Sequence, residues 1–485
     1  MSPRWLSALA VVLLTPAAAA HAQGALGPLN DLAALGQGVG QTPDALPVQH
    51  NPEPPFKATP RAKCGKGSKP EPSIQGRVPA GSATKGLWCN VTLLSHQGTS
   101  GGFKVWRYLD THGHECAIYD TALVYPENAF RFDASSQGVV VLDMTNPRKP
   151  VQTAVLTDPT SLSPHESLEI NRKRGLMAEV NGNLATEPGL VAIYDLHEDC
   201  RHPVMDYSGL LAKFGHESGF TADGKTFYAS GTGYNTITAI DLTDPKAPHV
   251  VWQGNIRSHG LSLSPDGNRA YLTEPLQHYM TILDTSEIQA RKANPQAKEI
   301  SRIAWAHGSL PQNAMPFTQK GKPYVLEFDE FNGATLAAGS PDDIGAARII
   351  DISDERKPQV ISNLRLQVNM PEDHAKYSND DPGTFSPGQG YAAHYCNLDS
   401  RVNPKVVACS FIVSGLRVFD ISNVRKPKEI AYFVAPATAT PENQEQASNY
   451  AMSKPAFAPK RREIWFTDNS SGFYALRVAK SAWPK

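Results

Sequence analysis

A short run of β-branched and apolar residues ending in aspartate recurs along the chain. It occurs as GVVVLD at 138–143, VAIYD at 191–195, ITAID at 237–241, TILD at 281–284, RIID at 348–351 and LRVFD at 416–420. A seventh, divergent copy, FYALRV at 473–478, lacks the aspartate. Several copies run into a polar turn closed by proline, as in TNPRKP at 145–150, TDPKAP at 243–248, SDERKP at 353–358 and SNVRKP at 422–427. The polar residues turn the chain and the proline stops the strand. Upstream of each copy lies a second strand rich in Tyr, Phe and Val, such as TFYAS at 226–230, RAYLT at 269–273, YVLEF at 324–328 and EIWFT at 463–467. Turns of the Pro265-Asp266-Gly267 kind precede some of these, as in a hairpin.

The pattern predicts about four strands in roughly 45 residues per unit, the period of a propeller blade. One such sheet cannot bury both faces, so the units must stack and the ring must close. The predicted fold is all-β: a single seven-bladed β-propeller over residues 86–485, with the N-terminal strand that begins at Leu87 completing the seventh blade. A pair of β-sandwiches is the alternative.

The strings GVVVLDMTNPRKP and LRVFDISNVRKP, and with them ITAIDLTDPKAP and RIIDISDERKP, resemble the repeat of the LVIVD family of exported β-propellers. The resemblance covers roughly residues 90–480 and implies the fold and export. It implies little about activity, and blades one, four, five and seven depart from the repeat.

The chain starts as a signal peptide would. Arg4 supplies a positive charge, an apolar stretch runs from Trp5 to Leu14, and Ala20-His21-Ala22 offers a small-x-small cleavage site. Residues 1–22 are therefore expected to be removed, leaving a periplasmic or secreted protein with no transmembrane helix in the mature chain. Residues 23–85 are rich in Pro, Gly and Ala without periodicity and read as a linker or disordered arm. With 46 basic and 47 acidic side chains, nothing points to nucleic acid. Six cysteines in an exported chain favour disulfides. Cys396 and Cys409 flank a turn and are expected to bridge adjacent strands; Cys64, Cys89, Cys116 and Cys200 leave three pairings open.

The candidate chemistry lies in the histidines. His165, His216 and His259 each open the strand before the Tyr/Phe-rich one, and His394 stands in a similar place. His216 precedes Asp241 by 25 positions, His259 precedes Asp284 by 25, His394 precedes Asp420 by 26 and His165 precedes Asp195 by 30. If that strand is the innermost of its blade, the four imidazoles converge at one mouth of the central channel. Neutral imidazole suits Fe, Cu or Zn, so a first-row transition metal is the expected cofactor. His307 is an alternative or fifth ligand. Glu179, Glu274 and Glu327, near the ends of second strands, are the expected hydrogen-bond partners of the ligands. Glu166 and Glu217 directly follow histidines and are expected to point away, as rim or inter-blade contacts. The strand-ending aspartates recur in six copies and read as turn caps. No nucleophile elbow, P-loop or His-Glu-x-x-His motif occurs.

Two functions fit. One is a metal-dependent oxidoreductase or lyase acting on a small-molecule substrate, its mouth roofed by insertions at 320–347 and 369–390. The other is a non-enzymatic module that binds an envelope protein or glycan partner, with the histidines stapling blades together.

Overall fold

The computed structural model describes residues 40–121, 138–181, 189–213, 215–231, 236–275, 277–332, 343–377, 381, 390–438 and 448–485. The predicted signal peptide, 1–22, lies outside them. Seven antiparallel sheets follow one another along the chain as the blades of a propeller. Blade 1 runs from inner to outer strand through Val105–Leu109, Glu115–Asp120, Val139–Asp143 and Val151–Leu156. The inner strands of blades 2 to 7 begin at Glu169, Glu217, Leu261, Leu310, Ala393 and Ala456. These inner strands contact one another in succession around the axis, among them blades 1 with 2, 3 with 4, 4 with 5 and 7 with 1.

The repeated aspartate has a local cause. Asp143, Asp195, Asp241, Asp284, Asp351 and Asp420 each accept the backbone N–H two residues on, from Thr145, His197, Thr243, Ser286, Ser353 and Ser422. Four of these turns repeat the device one step later, with Asn146, Asp244, Asp354 and Asn423 capping Arg148, Lys246, Arg356 and Arg425. The side chains thus replace the strand ladder with a turn, and the proline prevents its continuation. Just ahead of each aspartate the outer two strands slip register, and blade 7 shows the same slip between Leu93 and Ser95. Such bulges increase twist, which lets each sheet fan out from the axis.

Blade 7 takes its outer strand, Val91–Gln97, from the N-terminal side of the chain, paired with Gly472–Val478. The stretch expected to complete that blade is divided, however. Leu87–Cys89 instead extends blade 6, against the outer strand Lys428–Val434. Buried apolar side chains fill the spaces between blades, and the largest such cluster joins blades 5 and 6 to Val78, Ala83 and Leu87. Each such side chain contributes about 1.5–3 kcal/mol relative to exposure.

The stretch 40–85 is not disordered; it is docked on blades 3 to 6. Val48–His50 adds a parallel strand to the outer edge of blade 4. Farther on, the Thr59 N–H donates to the Arg365 carbonyl and the Glu429 N–H to that of Pro60. Glu71 pairs with Arg417, both fully buried, and Arg417 also reaches Glu429. Its composition lacks periodicity because its bonds go to the propeller and not to itself. Cys64–Cys89 ties this segment to blade 6. Cys396–Cys409 bridges adjacent strands as expected, and Cys116–Cys200 joins blades 1 and 2. Among the described residues no helix is long and apolar enough to cross a membrane.

Removing one partner of a buried ion pair costs about 3–5 kcal/mol. Arg417→Ala is therefore predicted to lower the unfolding free energy by that amount and to open residues 40–85 to limited proteolysis. Arg425→Ala, at an exposed pair with Asp351, serves as control and leaves both unchanged.

Candidate metal centre at the propeller hub

The histidine-bearing segments lead into innermost strands, so the hub is built from one contribution per blade. His165 precedes blade 2, His216 blade 3 and His259 blade 4, while His394 is the second residue of blade 6. The ring centroids of His165 and His216 are 4.5 Å apart, and those of His216 and His259 are 4.9 Å apart. Blade 1 adds Phe103, whose ring lies 4.3 Å from His165 and 5.4 Å from His394. Blade 5 adds Gln312 and Glu330.

At the centre stands Glu166. Its Oε1 is 3.1 Å from His394 Nε2, and its Oε2 is 3.3 Å from His216 Nε2 and 3.8 Å from His259 Nε2. Gln312 Nε2 donates to Oε2 at 2.6 Å. Glu330 faces the same rings, 3.3 Å from His394 Nε2 and 3.5 Å from His259 Nε2. The donor atoms of His165, Glu166 and His216 all lie within 4.8 Å of one another.

Glu166 was expected to point away because neighbours on a strand alternate. His165 adopts a left-handed backbone, φ 50°, and the alternation fails there. Glu166 is thereby turned to the axis with the histidines. Glu217 lies on a regular strand and points down the channel, bonded to Lys104 and Tyr395. These bonds reach blades 1 and 6, so Glu217 is an inter-blade contact, as expected.

The expected carboxylate partners of the histidines lie elsewhere. Glu179 accepts from Ser161 Oγ, Glu274 pairs with Arg257, and Glu327 pairs with Arg348. Side chains along a second strand face the neighbouring blades; only a terminal residue such as Glu330 reaches the hub. Backbone carbonyls take the orienting role. His259 Nδ1 donates to the Pro311 carbonyl at 2.9 Å, and His394 Nδ1 donates to that of Met452 at 2.6 Å. Since a carbonyl only accepts, Nδ1 carries the hydrogen and Nε2 is turned to the carboxylates. His165 Nδ1 and both ring nitrogens of His216 are buried with no aligned hydrogen-bond partner among the described residues.

His307 does not join the cluster. It stacks on Phe56 of the docked N-terminal segment at 4.0 Å and pairs with Asp343. Gln312 occupies the hub for its blade instead. Of the two insertions expected to form a roof, 333–342, 378–380 and 382–389 lie outside the described residues. Lys322–Glu330 is a blade strand, and Pro371–Tyr377 is a short helix.

The electrostatics follow from burial and these contacts. Burial opposes charge on His394, yet its bonds to Glu166 and Glu330 outweigh burial and raise it to about 10. Burial lowers His259 to about 4 and holds His165 well below the usual range, helped by the neighbouring His216. Burial alone would raise Glu166, but the His216 and His394 imidazoles beside it hold it well below the carboxylate range. Glu330 is raised, by burial first.

No family model matches the chain, and no curated protein matches it. Solved structures do. U3-55K aligns over 82% of this chain and 100% of its own, at 8% identity and a TM-score of 0.50. The β-propeller domain of Myceliophteria thermophila Cps50 (Swd1) aligns over 80% and 98%, at 10% identity and a TM-score of 0.50. These similarities show the propeller fold.

Without metal, the hub sets a stability optimum. His394, raised in the fold, contributes fully below about pH 6.5 and loses that contribution as pH rises towards about 10. His259, lowered in the fold, contributes above about pH 6.5 and loses it as pH falls to about 4. The two histidines together contribute most near pH 6.5, and chelator-treated protein is predicted to lose Tm as pH rises from there towards about 10. Glu166→Gln should cost about 3 kcal/mol at about pH 6.5 and flatten the alkaline limb, as read by thermal melts across pH.

Proposed function

We propose that the hub binds one first-row transition metal ion, Fe, Cu or Zn, through His165, His216, His259 and His394 with Glu166, and with Glu330 beside it. One observation carries this reading. Glu166 and Glu330 are 2% and 4% exposed, and among the described residues their side chains meet only imidazoles and one amide. Neither has a lysine or arginine partner there. Of the imidazoles around these two carboxylates, burial holds His165 and His259 neutral while His394 is drawn towards its charged form; a divalent cation bound by neutral rings supplies the positive charge that the carboxylates call for. The spacing supports the same reading. Donors bound at about 2.0–2.2 Å lie roughly 2.8–3.6 Å from one another in octahedral or tetrahedral geometry. Four of the five imidazole–carboxylate separations, 3.1 to 3.5 Å, fall in that interval.

His165 and His216 keep 9% and 8% of their surface open, against 4% and 1% for His259 and His394. A small-molecule substrate or O₂ would approach from that side, which makes oxidoreductase or lyase chemistry on a small molecule the finer part of the proposal. Membership of the LVIVD-repeat family, removal of a signal peptide and residence in the periplasm or outside the cell belong to it too. The three disulfides fit an oxidising compartment.

Elemental analysis of the purified full chain tests it. About one equivalent of Fe, Cu or Zn is expected, falling below a tenth in a His216→Ala/His394→Ala variant that keeps its far-UV spectrum. A wild type that is metal-free as purified and takes up none of the three ions contradicts the proposal. It would leave the reading of a metal-free propeller that binds an envelope partner.

A further inference from the structure

Farther along the same inner strands, away from the histidines, the channel holds a cavity of about 60 Å³. Lys104, Lys454, Arg401 and Glu169 line it, with Ser218 and Asn313 among the uncharged residues. Lys104 Nζ is bonded to Glu169 at 2.9 Å and to Glu217. Lys454 is less well provided. It is 6% exposed, its Nζ stands 3.5 Å from Glu169 Oε1, and it lies 3.9 Å above the Trp106 ring. Glu169 is thus shared by two ammonium groups. Arg401 gives Nη1 to the Pro316 carbonyl at 2.8 Å, a neutral acceptor. Three cations therefore line the space with two carboxylates, Glu169 and Glu217; Arg401 lies at its exposed end, and Lys454 is the buried cation left with only the shared Glu169.

A buried ammonium with a single distant carboxylate is costly unless something negative completes its shell. The space suits only a small ligand, and paired ammonium groups with a guanidinium fork favour oxygen acceptors. We propose that this cavity is a binding site for a small oxyanion, a carboxylate or a tetrahedral phosphate-type ion, distinct from the hub cluster. Lys454 and Arg401 hold the anion, while Lys104 is committed mainly to Glu169 and Glu217. The site does not depend on the metal reading, since Lys454 and Arg401, which hold the anion, make their contacts with Glu169, Trp106 and the Pro316 carbonyl and not with the histidines.

Titration of the full chain with sodium phosphate, sodium acetate and sodium chloride at equal ionic strength, followed by calorimetry and Tm, tests the proposal. A saturable response to phosphate or acetate but not to chloride is expected. Phosphate alone assigns a tetrahedral anion and acetate alone a carboxylate. Lys454→Met should weaken that response at least tenfold without changing metal content. If Lys454→Met does not fold, Arg401→Gln, at the exposed end of the site, is to show the weakening. Equal responses to all three salts, no response, or an unaltered response in the folded variant overturns the proposal.

Discussion

The structure turns on a pair of carboxylates, Glu166 and Glu330, held out of water at the axis of the ring among imidazoles. A lone ionised carboxylate in such a place is strongly disfavoured. Everything around it answers that cost. Gln312 donates one hydrogen bond to Glu166, and His394 is driven towards its charged form. The carbonyls of Pro311 and Met452 hold two Nε2 atoms to the centre. Such fixed orientation of the Nε2 atoms is what the proposed metal site requires.

Ring closure makes the cluster possible. The innermost strands surround the axis, so residues at the hub end of each blade meet there, and residues farther along the same strands line the rest of the channel. The hub consequently draws on blades far apart in sequence: Phe103, His165, His216, His259, Gln312 and His394 are neighbours in space because their blades are neighbours in a circle. The disulfides and the docked N-terminal segment hold the periphery. The Cys64–Cys89 bond and the Arg417–Glu71 pair fasten that segment to blade 6, and Phe56 from the same segment occupies His307.

Much of this was legible in the chain. The strand-ending aspartates gave the period because each caps a turn at the same place, and the regular offset from histidine to aspartate marked four residues that meet at the hub. What stayed hidden depends on backbone conformation and tertiary pairing. Glu166 was read away from the axis because strand alternation was assumed through His165, whose positive φ breaks it. Glu330 lies three residues beyond Glu327, at the end of the strand and on its opposite face. His307 keeps the sequence pattern but is captured by Phe56 and Asp343. The orienting acceptors are backbone carbonyls, which carry no residue signature. The 40–85 segment looked unstructured because its partners lie hundreds of positions away.

The two sections of the channel have opposite electrostatic needs, cation at the histidine end and anion at the lysine end, and the first is the central claim. An anomalous difference map from crystals of protein purified without chelator tests it most directly. The account predicts one peak, about 2.0–2.2 Å from imidazole nitrogens of the hub and from Glu166. A map without a peak, in which His394 and Glu166 are in direct hydrogen-bond contact, would contradict it.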